Sequence, residues 1–161
     1  MVIMLNQIFL ITFSLLLLVG GVNLKGDYAN DKFSKSIYEK YQVTIYRDTW
    51  GVPHIFGEKD EDTAYGLGYA HAEDDFETIQ NILIAARGSL AQYHGRSAAA
   101  NDYMVKMLKI WNIVDKNYES LSDDVIKISE AYADGINHYA NLYPEKVYKG
   151  ILPVKGKDIV A

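Results

Sequence analysis

At 161 residues, 49% of them hydrophobic and 23% charged, the chain has ordinary globular composition and enough apolar material for one domain-sized core. A formal charge of -5, with both signs interspersed and no concentrated Lys/Arg run, excludes a nucleic-acid footprint, which needs a dense positive surface against phosphate. Cysteine is absent, which excludes disulfides, a thiolate nucleophile and thiolate metal sites, and leaves the core alone to hold the fold.

The first 26 residues carry an apolar stretch from Ile8 to Val19, broken only by Thr12 and Ser14, which is the pattern of an export signal. No Lys or Arg precedes it and no A-x-A pattern follows. Met1 to Val22, taken as one apolar block, is also long enough to span a bilayer, so residues 1–26 read as a signal peptide or as an uncleaved membrane anchor. Either places the remainder outside the cytoplasm, in the periplasm or secreted. Residues 27–41 are polar, with Asp27, Asn30, Asp31, Ser34 and Ser36, and read as a linker because they offer too few apolar positions to bury a face.

Residues 42–161 read as an α+β unit: a β-hairpin followed by about four helices. Val43 to Arg47 has the β-branched and aromatic content of a half-buried strand, with Val43, Ile45 and Arg47 on one face and Thr44 and Tyr46 on the other. Asp48 to Gly51 supplies a turn, in which Asp48 can bond the following backbone and Gly51 can take a positive φ; Pro53 to Phe56 returns. Arg47 and Asp48, as neighbours on a strand end, point to opposite faces, so they are not expected to bond each other, and each is expected to anchor the turn or a partner segment.

Glu58 to Asp62 suits the first turn of a helix, where carboxylates meet the positive end of the helix dipole. Gly66 and Gly68 inside that helix each cost about 1 kcal/mol relative to Ala, which implies close packing on another backbone, with the hairpin as nearest candidate. The pattern restarts at Glu73, with Phe76, Ile79, Leu83, Ala86 and Leu90 on one face, and ends near Tyr93 with Gly95 as C-cap. Asn101 or Asp102 is expected to cap a third helix buried through Tyr103, Met107, Ile110, Trp111, Val114 and Tyr118. Ser122 is expected to cap a fourth, with Val125, Ile128, Tyr132, Ile136 and Tyr139 as its buried stripe and Pro144 as its stop. Asp158 opens a further helical turn near residue 161, an interruption that reads as truncation of a longer unit.

Four motifs run through this unit in order: R-D-x-x-G-V-P-H-I at Arg47 to Ile55, G-x-G-Y-A-x-A-E-D at Gly66 to Asp74, A-R-G-x-L-A at Ala86 to Ala91, and A-Y-A-D-G-I-N at Ala131 to Asn137. In this order and spacing they resemble the amino-terminal portion of penicillin acylase and acyl-homoserine-lactone acylase precursors, over about residues 42–160. The resemblance implies an amino-terminal-nucleophile hydrolase with an αββα sandwich assembled from two chains cut from one precursor. Its nucleophile is then a Ser, in some relatives another small residue, exposed as the first residue of the second chain. The matching part of this sequence is the first, non-catalytic chain, an incomplete part of that sandwich. The partners so implied are the second, beta chain of the same precursor and an N-acylated small-molecule substrate, with no nucleic acid, and a membrane only where the leader stays uncleaved.

No catalytic, cofactor-binding or metal-binding residue of this sequence is assigned. Ser89, in Gly88-Ser89, falls inside a helix motif with too little chain after it for a catalytic sandwich, and reads as a surface residue. His54, His71, His94 and His138 are spread over a strand and separate helices; His54 reads as a structural residue bonding backbone near the turn. His71-Ala-Glu73 lacks the second histidine of a zincin helix, and Asp60-Glu-Asp62 fails as a calcium loop because Ala64 and Tyr65 stand where an oxygen ligand and a Gly belong. Some relatives hold a structural calcium partly through a Glu of the first chain, which leaves calcium open for the complete enzyme; no cofactor is assigned to this chain. The rival to this reading is a free-standing periplasmic helical module that binds a protein through Tyr-rich faces, or an inactive fragment.

Overall fold

The computed structural model describes residues 40–161; the expectations for the leader and for all but the last two residues of the linker lie outside them. Strands β1 (Val43–Arg47) and β2 (Pro53–Gly57) form an antiparallel pair in which Ile45 faces Ile55 and Tyr46 faces His54. Val43, Ile45 and Arg47 are half-buried and Thr44 and Tyr46 exposed, as the alternation predicts. The Asp48 carboxylate accepts from the backbone N–H of Trp50 at 2.8 Å and of Val52 at 3.0 Å, and Gly51 takes φ +82°, so the turn is closed from inside.

Helix α1 (Asp60–Ala86) follows with Asp60, Glu61 and Asp62 in its first turn. Asp62 accepts from the backbone of Lys59 and of Gln42, which ties the helix start to the chain entering the hairpin. Two predicted helices are thus one. The restart seen at Glu73 is a kink at Asp75, whose backbone (φ -154°, ψ 72°) leaves the helix and whose carboxylate accepts the N–H of Thr78 at 3.1 Å, as an N-cap does.

Helix α5 (Asp123–Leu142) crosses α1 at very close range. A Cβ on Gly68 would stand 2.2 Å from the Tyr132 carbonyl oxygen, and one on Gly135 would stand 2.1 Å from the Tyr65 carbonyl oxygen. Gly66 instead meets the hairpin, where a Cβ would lie 2.6 Å from Val43 Cγ2 and 2.7 Å from Ile55 Cγ2. The two glycines predicted to share one neighbour therefore serve two. The main core lies along this crossing: Ala72, Phe76, Leu83 and Ile84 of α1 pack with Ala133, Ile136, Tyr139 and Ala140 of α5 and with Ile151 and Val154 beyond it. A second cluster holds Ala64, Tyr65 and Ala131 with Tyr41, which falls at the end of the predicted linker. The expected stripe of α5 holds only from its middle onward: Ile136 and Tyr139 are buried, whereas Val125 and Ile128 are exposed.

Between these helices the chain makes α2 (Leu90–His94), α3 (Ala99–Met107) and α4 (Ile110–Asn117); with α6 (Gly156–Val160), the turn expected at Asp158, the described residues form six helices where the sequence predicts about four and that turn. The breaks fall at Gly88, φ +62°, and at Lys109, φ 54°, a left-handed conformation in a non-glycine residue. Gly95 ends α2 as predicted. Asn101 and Asp102 do not cap α3, which begins before them. The Asp102 carboxylate accepts from the N–H of Leu90 at 2.7 Å and of Ala91 at 2.9 Å, capping α2, and the Asn101 amide donates to the Ala85 carbonyl at the end of α1. Ser122 holds the N-cap position of α5 without a side-chain bond.

After α5 the chain runs back over the crossing as an extended strap, and three buried or half-buried side chains hold its backbone. Gln80 donates to Lys146 O and accepts from Tyr148 N, Asn137 brackets Val154 at 2.8 Å on both N–H and C=O, and Arg87 donates to Ile151 O. Arg87 also grips both oxygens of the buried Asp158 carboxylate at 2.7 and 2.9 Å, and Asp158 in turn accepts the Lys155 N–H at the start of α6.

Candidate functional site

Where hairpin meets kinked helix, charged groups collect. The Arg47 guanidinium reaches from β1 to Glu73 at 2.6 Å and Asp74 at 2.8 Å and donates to Gly51 O at 2.7 Å. The bond to Glu73 is the chief cause of a raised Arg47 pKa. Asp48 closes the turn through Trp50 and Val52, whereas Arg47 holds that same turn at Gly51 and alone of the two ties it to α1. The N–H of Trp50 does most to hold the Asp48 carboxyl below the usual range. Asp75 is likewise held low, chiefly by the Thr78 side chain and backbone.

Beside the kink a recess of about 400 Å³ opens, walled by Glu73, Asp74, Asp75 and Glu77 on one side and by Tyr139, Lys146 and Tyr148 on the other. Lys146 Nζ donates to the Tyr139 hydroxyl at 2.8 Å and lies 4.4 Å from the Tyr143 ring centroid. These carboxylates do not converge on one point. Glu73 and Asp74 receive Arg47 and Asp75 receives Thr78, so their donors are the protein's own, and the set does not fit a cation cradle.

The histidines are as dispersed as the sequence implies. His54 Nε2 lies 3.3 Å from the Asp48 carboxylate, so its partner near the turn is a side chain and not the backbone; a ring on that strand face reaches across to the turn's acid. His71 Nδ1 meets the Tyr132 hydroxyl at 2.9 Å, His94 Nε2 meets Asn81 Oδ1 at 2.8 Å, and His138 Nδ1 meets the Tyr65 hydroxyl. Burial lowers the His138 pKa. Ser89 sits at the N-cap position of α2, half-buried, with its hydroxyl turned to the Arg87 carbonyl at 3.5 Å. No histidine is set against it.

The four sequence motifs therefore spend their residues on one another. Arg47 of the first holds Glu73 and Asp74 of the second, Gly68 of the second faces the Tyr132 carbonyl of the fourth, and Arg87 of the third clamps the strap that Asn137 of the fourth also holds. The Arg87–Asp158 pair is a strong contact that sequence reasoning missed; 71 residues separate its members, and the local signal was Arg87 inside its motif.

Residues 42–155 match the family model described as Penicillin amidase. The chain belongs to the penicillin amidase family. Among curated relatives, a penicillin acylase 2 proenzyme of Pseudomonas sp. (strain SE83) is 30% identical over 111 residues, covering 68% of this chain and 14% of that protein. The acyl-homoserine lactone acylase QuiP of Pseudomonas fluorescens is 30% identical over 105 residues, covering 65% of this chain and 13% of that protein. Among solved structures, a thermostable penicillin G acylase from Alcaligenes faecalis superposes with a TM-score of 0.64 at 27% identity, covering 74% of this chain and 68% of that chain. The chain thus spans about one seventh of the curated relatives it matches, and within the family it is an α+β portion of the acylase fold.

Proposed function

We propose that this chain is the leader and first, non-catalytic segment of an exported amide hydrolase. The complete enzyme splits the acyl group from an N-acylated small molecule, a β-lactam antibiotic or an acyl-homoserine lactone, with an amino-terminal Ser on a second chain of the same precursor. The observation that carries this reading is the hairpin. Its inner face packs on α1, while Tyr46 and Phe56 stand exposed on the outer face and Trp50 at the turn is 88% exposed. A two-stranded ribbon is marginal by itself, and among the described residues no third strand joins it. Further strands on its edges would complete a sheet.

In the complete enzyme the Ser hydroxyl attacks the amide carbonyl while its own α-amino group, of pKa near 8, takes the proton. Donors of the second chain hold the tetrahedral oxyanion, the amine leaves with the proton, and water releases the acyl group from the Ser ester. The present residues do none of this; they present the hairpin and brace the helices behind it. We assign no cofactor to this chain, and a structural calcium belongs, in this reading, to the completed enzyme.

The chain freed of its leader is expected to show no turnover of penicillin G or an N-acyl homoserine lactone, and to gain turnover when co-expressed with the second chain of the Pseudomonas sp. SE83 proenzyme. Turnover by the chain alone, abolished by replacing one of its side chains, overturns the proposal.

A further inference from the structure

Along α1, α5 and the chain entering β1, six rings follow one another without a gap. Between centroids, Tyr143 lies 4.6 Å from Tyr139, Tyr139 5.9 Å from Tyr69, Tyr69 5.2 Å from His138, His138 6.0 Å from Tyr65, and Tyr65 4.5 Å from Tyr41. Tyr143, just past the end of α5, is exposed, whereas Tyr65 and Tyr41 are buried, so the row leads from water into the second cluster. The hydroxyls are partnered unequally. Lys146 Nζ donates to the Tyr139 hydroxyl at 2.8 Å and lies 4.4 Å from the Tyr143 ring centroid. At the far end Lys40 Nζ donates to the Tyr41 hydroxyl at 2.9 Å, and that hydroxyl donates to Asp134 at 2.7 Å. In the middle the Tyr65 hydroxyl meets His138 Nδ1.

We propose that Tyr65 and His138 form a redox-active pair, in which an outer-sphere one-electron oxidant acting at Tyr143 leaves a neutral phenoxyl radical on Tyr65. This activity is independent of the function given above. An ammonium group opposes removal of an electron from a ring beside it, so Lys146 and Lys40 disfavour a hole at either end and leave the middle of the row. A phenol gives up an electron readily only as its proton departs, and His138 is placed to receive that proton. Burial holds the His138 pKa below its ordinary value, so at neutral pH the imidazole is uncharged, with its proton on Nε2 and with Nδ1 accepting from Tyr65. The step balances. The oxidant gains one electron, the Tyr65 O–H bond breaks, an N–H bond forms at Nδ1, and an imidazolium stands beside the radical. On re-reduction by one electron the proton returns to the phenoxyl oxygen. No cysteine competes for the hole, because the sequence has none.

The test oxidises the full chain with flash-generated ruthenium(III) tris-bipyridine and follows the tyrosyl radical by electron paramagnetic resonance. Every sample carries Trp50→Phe, so that the exposed indole does not take the hole first. His138→Gln keeps an acceptor for the hydroxyl but no base, and should slow formation of the persistent radical about 100-fold. Tyr65→Phe should abolish that signal, and Tyr103→Phe, at an exposed ring outside the row, should leave it unchanged. Without either substitution at the pair, formation should slow as the pH falls below the ordinary histidine value of about 6.5, with circular dichroism as the control for folding. A signal retained in Tyr65→Phe, an equal rate in His138→Gln, or no persistent tyrosyl radical at all overturns the proposal. Where a variant fails to fold, the pH profile decides: a rate indifferent to that titration overturns it as well.

Discussion

The crossing of α1 and α5 and the pair α3–α4 carry the same helical periodicity and come out as opposites. At the crossing, small residues at Gly68, Ala131 and Gly135 bring two backbones together and the large side chains beyond them fill a shared core. In the pair, Tyr103, Met104, Met107, Leu108 and Ile113 stand exposed while Ile110, Trp111 and Val114 are half-buried, and polar side chains make the bonds to the end of α1. The difference teaches that a 3.6-residue repeat marks a helix and a face to be covered, without saying which partner covers it.

The sharpest way to break the comparison is at the crossing. Gly68→Ala places a methyl 2.2 Å from the Tyr132 carbonyl, where backbone must move, and is expected to cost about 3 kcal/mol or more, read as a lower midpoint in urea unfolding. Arg87→Met, which leaves the buried Asp158 carboxylate without its cation, should cost about 3 kcal/mol and loosen the strap, seen as faster amide exchange at Ile151 and Val154. Asp102→Asn is expected to have a smaller effect with a distinctive pH dependence. Burial raises the Asp102 pKa, but the N–H groups of Ala91 and Leu90 outweigh it and hold the carboxyl below its ordinary value. A depressed folded-state pKa stabilises above the unfolded value of about 4 and is lost as pH falls through the lower folded value. Wild type and variant should therefore differ in melting temperature at neutral pH and converge in acid. The smallest effect falls on the pair: Met107→Lys with Leu108→Asp should change the stability of the isolated chain by no more than about 0.5 kcal/mol.

Much of the fold was legible where local chemistry decides it. The hairpin register follows from alternation in Val43 to Arg47, and Asp48 with Gly51 defines its turn. The kink was visible as a restarted pattern at Glu73, although the sequence suggested a new helix, because nothing local tells that Asp75 caps a second half within one helix. The errors share a cause. Asn101 and Asp102 have the chemistry of caps, and they do cap, but on α1 and α2, which lie 16 and 12 residues away. Tyr103 and Met107 carry a core-like apolar periodicity yet stand exposed, because a repeat marks a face without naming what covers it. As for the candidate site, the four motifs are legible in the sequence, but that their residues hold one another is not, because the partners lie far apart in the chain.

The stiff turn at Asp48 to Gly51 has an optical consequence. Of the two tryptophans, Trp50 stands in water at its tip, while the Trp111 indole is fixed on the Ala86 carbonyl. With Trp111 replaced by Phe, fluorescence from the remaining indole should resemble that of the free amino acid in water and shift toward the blue once another polypeptide shields the turn. The molecule thus carries, in a single ring, its own gauge of whether the turn is covered.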